Sequence, residues 1–130
     1  MKEKLEAIIN NAYVPYSNYQ VACIIVMKNG EEVSGVNIEN SSFKSGLCAE
    51  QVTIASAVAE GYTKEDFKEL YVMGSGELPA FPCFICRQLL LEFFDLDAPI
   101  SSYNRAGEVK TLPLRELCPH AFTYEEASND

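Results

Sequence analysis

Over the first dozen residues Leu5, Ile8, Ile9 and Ala12 recur at helical spacing among Lys and Glu, which predicts an amphipathic helix over residues 2–12 that Pro15 shuts off. The tract VPYSNY then reads as a loop. The pattern changes at VACIIVM, residues 21–27, an unbroken β-branched run; Asn29-Gly30 follows and EEVSGVNI has strand character again, so the two runs make a hairpin. From residue 48 to about 60 apolar or small side chains fall on every face, predicting a buried helix that Gly61 stops. ELYVMGS, residues 69–75, is a strand, and residues 83–94 form a second helix, apolar around most of its circumference through Phe84, Ile85, Leu89, Leu90, Leu91 and Phe93. Residues 100–103 and 108–112 flank the turn NRAG as strands. A short helical piece at 113–117 precedes the polar end TYEEASND, the one stretch expected to be disordered.

The order α-β-β-α-β-α-β-β predicts an α/β fold, a mixed five-stranded sheet with helices on both faces, because each helix must bury its apolar side against something. At 130 residues the chain is the size of a single domain spanning 1–130. Two helices this apolar either bury themselves within one chain or associate with another copy, and the pattern leaves both readings open.

Composition narrows the class. Hydrophobic content of 48% with 22% charged residues belongs to a soluble globular protein. MKEKLEAIINNAY mixes acids with bases and lacks an apolar core, so it does not read as a signal peptide, and no segment is long enough to span a membrane. Five cysteines without a secretion signal point to a reducing compartment, the cytoplasm, where thiols bind metals or fill cores. A net charge of −9 repels polyanions, which argues against nucleic acid as a partner and favours a neutral or cationic small substrate.

The cysteines carry the chemistry. Cys83 and Cys86 form a C-x-x-C that opens the second helix after Pro82, and Cys48 stands at the matching point of the first. Helix starts offer free N–H groups and partial positive charge, which favour thiolates, and three thiolates favour zinc. Cys23, Cys118 and His120 remain as a possible fourth ligand: a protein side chain there makes a structural site, water a catalytic one. Glu50, two residues past Cys48, either complements the helix dipole or moves protons for a metal-activated water.

The blocks CAE at 48–50 and PCFICRQ at 82–88, with PYSNY, GVNIEN and LCPHAF in order around them, resemble the small homotetrameric type of cytidine deaminase over nearly the whole chain. The resemblance implies a three-layer α/β/α cytidine-deaminase-like fold. It implies zinc held by Cys48, Cys83 and Cys86, activating water for attack on C4 of a cytosine nucleoside, with Glu50 as the catalytic acid/base and uridine as product. It places Asn37 and Glu39 on the ribose, Tyr19 and Ala49 against the substrate, and Phe122 in a neighbouring subunit's site, within a homotetramer that shares its active sites.

Departures from the family pattern accompany it. Gln51 replaces a usual arginine, leaving Arg87 to offset the thiolate charge while Gln51 donates a neutral hydrogen bond. Phe43 replaces a usual tyrosine at the sugar end, and His120 a usual glycine. Cytidine and 2′-deoxycytidine are the expected substrates. A related aminopyrimidine nucleoside such as blasticidin S is the nearest rival, and a non-enzymatic, zinc-stabilised binding domain the rival of another class.

Overall fold

The strand-forming runs assemble into one five-stranded sheet of order β2-β1-β3-β4-β5. A computed structural model describes residues 1–124, so most of the polar end expected to be disordered lies outside the described residues. Strand β1 (Val21–Met27) turns through Asn29-Gly30 into β2 (Glu32–Val36). Gly30 takes a φ of +89°, a left-handed conformation that glycine adopts without steric cost. On its other side β1 pairs antiparallel with β3 (Phe67–Gly74). β3 runs parallel to β4 (Pro99–Tyr103), and β4 antiparallel to β5 (Val109–Pro113). A parallel pair needs a crossover, and α3 (Phe84–Phe93) supplies it.

Both faces of β1 are apolar because both are covered. Ala22 and Ile24, with Met73 of β3, meet Leu5 and Ile9 of α1 (Lys2–Ile9). An eight-residue helix is too short to persist alone, and full burial of Leu5 and Ile9, at about 2 kcal/mol each, holds it on the sheet. On the opposite face Cys23, Ile25, Leu70, Val72 and Ile100 pack with Ala49, Ile54 and Ala57 of α2 (Ala49–Ala59) and Leu90 of α3. Leu114 and Leu117 of α4 (Leu114–Leu117) close that core. The result is the α/β/α three-layer arrangement expected.

Some elements differ from the sequence pattern. Helix α1 stops at Ile9 rather than residue 12, because Asn11 and Ala12 bond back only three residues, to the carbonyls of Ile8 and Ile9. β2 stops at Val36, and Ile38 instead bridges Tyr13 and Leu47. A 3₁₀ turn, Phe43–Ser45, was not anticipated. Nor is α3 covered all round within one chain: Phe84 and Ile85 are 76% and 71% exposed. Among the described residues no helix is long and apolar enough to cross a membrane.

Candidate active site

Two helix starts meet at one point. Cys48 is the N-cap of α2 and Cys83 the N-cap of α3, both in extended backbone, and Cys86 is the third residue of α3. Their sulfur atoms all lie within 4.8 Å of one another, with Cys48 and Cys83 at 3.9 Å. Tetrahedral zinc with Zn–S bonds of about 2.3 Å needs sulfurs roughly 3.8 Å apart, so this donor set fits zinc. Hydrogen bonds from the Cys86 and Cys83 thiols draw the Cys48 thiol down to about 6, and the same Cys48–Cys86 contact, with burial, pushes Cys86 up. Among the described residues Cys23, Cys118 and His120 stand outside the cluster. Cys23 is buried within β1, where desolvation raises its pKa, and the Cys118 thiol donates to the Arg87 carbonyl at 3.8 Å.

Glu50, the second residue of α2, is 4% exposed. Burial pushes its carboxyl up to about 7, and the nearby charge of Cys48 adds to the effect. Glu50 lines a cleft of about 640 Å³ together with Cys48, Cys83, Ala49, Gln51, Tyr19, Asn37 and Glu39. Two helix starts, an acid on the first turn and an extended segment after β2 thus converge on one cavity.

Asn37 and Glu39 share the cleft as their two-residue spacing predicts. Both are also committed to this chain's own backbone. Asn37 accepts from the Val21 N–H at 2.9 Å and donates to the Tyr19 carbonyl at 3.0 Å, which fixes the segment leading into β1 that presents Tyr19. Glu39 accepts from the N–H groups of Tyr16 and Ser17 and from the Ser17 hydroxyl. Those donors, the Ser17 hydroxyl foremost, hold its carboxyl below the usual carboxylate range. Ser17 was missed from the sequence, where it is one polar residue in a loop. The Tyr19 ring lies across Gly74 and Gly76, so close that a side chain on Gly74 would overlap the Tyr19 hydroxyl. Phe122 does not reach its own chain's cleft; it is 62% exposed, its carbonyl accepting from Gln88 at 3.3 Å.

Gln51 and Arg87 both bond the backbone beside the thiols. The Gln51 Oε1 accepts from the Cys48 N–H at 2.8 Å, capping the helix start from within. Arg87 directs its guanidinium to two carbonyls. Its Nε donates to the Pro82 carbonyl at 2.7 Å and its Nη1 to the Leu117 carbonyl at 3.0 Å, while the guanidinium lies 4.4 Å from the centre of the Phe84 ring.

Fold and site together define a zinc hydrolase of the thiolate-ligated deaminase class. Residues 1–98 match the family model described as the cytidine and deoxycytidylate deaminase zinc-binding region, and the chain belongs to that family of zinc-dependent hydrolytic deaminases. It is 38% identical over 120 residues to a cytidine deaminase of Mycoplasma genitalium, covering 92% of this chain and 91% of the relative. With a cytidine deaminase of Halalkalibacterium halodurans it shares 35% identity over 129 residues, 99% of this chain and 96% of that one. The crystal structure of cytidine deaminase from Burkholderia pseudomallei matches with a TM-score of 0.88 at 34% identity, covering 92% of this chain and 94% of the other.

Proposed function

We propose that this protein hydrolyses cytidine and 2′-deoxycytidine to uridine and 2′-deoxyuridine, releasing ammonia. The observation that carries the reading is the convergence of Cys48, Cys83 and Cys86 on one another beside a cleft that the buried Glu50 lines together with Asn37 and Glu39. Cys48, Cys83 and Cys86 hold the zinc. Zinc in such a site acts as a Lewis acid that makes water a competent nucleophile near neutral pH.

Glu50 carries the protons. Its carboxylate takes one from the attacking water and delivers it to ring N3 as the oxygen adds to C4. It then moves the remaining proton of that oxygen to the exocyclic amine, the C4–N bond breaks, and ammonia leaves a C4 carbonyl behind. A carboxyl held near pH 7 can both accept and return a proton at physiological pH, which supports this role. Asn37 and Glu39 orient the sugar, and the ring of Tyr19 packs against the base beside the Ala49 backbone. Among the described residues Lys44 is the sole basic one lining the cleft, which favours nucleosides over their 5′-phosphates.

The domain acts as one unit over 1–130, in the cytoplasm, in salvage of pyrimidine nucleosides. It works as a homotetramer, where a second copy covers Phe43, Phe84 and Ile85, exposed by 80%, 76% and 71% in the isolated chain, and Phe122 reaches a neighbour's cleft. Cytidine deaminase relatives at 35% and 38% identity favour cytidine over blasticidin S. A three-sulfur cluster without a fourth protein ligand among the described residues disfavours a purely structural zinc.

The deciding experiment follows deamination of cytidine, deoxycytidine, their 5′-monophosphates and blasticidin S by ultraviolet absorbance, with Glu50→Gln as control. Turnover of the two nucleosides that Glu50→Gln abolishes is expected. Faster turnover of blasticidin S, or none of any substrate by zinc-replete protein, contradicts the proposal.

A further inference from the structure

Arg87 follows the buried Cys86 directly, yet its cation serves the backbone. One prong of the guanidinium bonds the carbonyl of Pro82, the residue just before Cys83. The other bonds the carbonyl of Leu117, the last residue of α4. The α4 side returns one contact, the Cys118 thiol donating to the Arg87 carbonyl, while the Arg87 N–H makes the ordinary first-turn bond of α3 to the Cys83 carbonyl at 2.8 Å. Pro82 is buried, so its carbonyl would face a substantial desolvation penalty without this donor.

We propose that Arg87 is a positioning residue, a two-pronged clamp that fixes the peptide entering Cys83 and ties the two-thiol start of α3 to the end of α4, so that gripping the metal and ordering residues 117–122 are coupled. The inference rests on Cys48, Cys83 and Cys86 being the zinc ligands. A planar guanidinium can reach two carbonyls at once; an ammonium keeps the charge but loses the fork. Coupling of this kind is reciprocal: whatever loosens the α4 end loosens the metal by the same factor, and the converse.

Arg87→Lys separates the clamp from simple charge compensation. In zinc-loaded Arg87→Lys, transfer of zinc to a chromophoric chelator should be about tenfold faster than in the wild type, the effect of losing one charge-assisted hydrogen bond. Amide exchange over residues 117–122 should rise by about the same factor while the amides of β1 exchange as before. The cobalt-substituted protein should show a shifted thiolate-to-metal band. Wild-type release, wild-type exchange over 117–122, an unshifted band, or equal acceleration in β1 would each overturn the clamp. A second measurement needs no substitution: stripping zinc from the wild type should accelerate exchange over 117–122 about tenfold beyond any change in β1, and no such excess refutes the coupling. Wild-type protein that binds no zinc at all sinks the ligand assignment itself, a failure visible before Arg87 is touched.

Discussion

Gly35, the fourth residue of β2, sets how closely α2 sits on the sheet. Its backbone is extended, so alanine would be conformationally acceptable; the obstacle is space. A Cβ built there lies 2.6 Å from Thr53 Oγ1 and 3.0 Å from both Thr53 N and Val52 Cγ1, where ordinary contact begins at 3.4 Å. Thr53 cannot simply swing aside, because it is fully buried and its hydroxyl donates to the Ala49 carbonyl at 2.7 Å. In Gly35→Ala the backbone of α2 must therefore retreat by a few tenths of an ångström. Cys48 and Glu50 ride on the same helix, so the retreat opens the 3.9 Å Cys48–Cys83 approach and moves the acid relative to the cleft. Overpacking of this size costs about 1–3 kcal/mol. Urea unfolding of the zinc-loaded protein should show a loss in that range, and zinc transfer to a chelator should accelerate. Thr53→Ala in the same chain removes the closest contact, so the double variant should be more stable than the summed single losses by at least about 0.5 kcal/mol. A Gly35→Ala protein as stable as the wild type, with unchanged zinc release, would refute the claim that this glycine seats α2.

Other consequences are as direct. Cys83→Ala should copurify with little zinc and unfold at lower temperature, since metal binding contributes to folding free energy, as metal analysis and calorimetry can check. In Gly74→Ala the new methyl collides with the Tyr19 hydroxyl and, at 2.7 Å, with the Ala80 Cβ, which drives the ring into the cleft; KM should rise about tenfold, about 1.4 kcal/mol, and Tyr19→Phe in that background should recover part of it. His120 is exposed at φ +55°, so His120→Gly should stabilise the fold by about 1 kcal/mol in urea titrations, a loss of stability instead pointing to a contact made by the imidazole.

The sheet was legible because its signals are local. A β-branched run, an Asn-Gly turn and a second run specify β1 and β2 without reference to the rest of the chain. The metal cluster was legible for a related reason, since Cys48 and Pro82-Cys83 mark helix starts, and helices on one face of a sheet bring their starts together. What failed was set by distant partners. Asn37 belongs by pattern to a strand, yet its side chain bonds Tyr19 and Val21, and pairing ends before it. Ala12 continues the helical spacing of α1, but the chain has already turned at Asn10 and Asn11. The sequence shows that Arg87 is charged and next to a thiol; it cannot show that two backbone carbonyls, one of them 30 residues away, take the guanidinium instead. Gly35 reads as a weak point in a strand until Thr53, on another element, is seen against it.

The central claim is a metal held by three sulfurs with one position left for a light atom. X-ray absorption at the zinc edge, on protein with its metal content measured, tests it most directly. One zinc per chain with three sulfurs at about 2.3 Å and one oxygen is the predicted result. Four sulfurs, or an imidazole shell from His120, would contradict it.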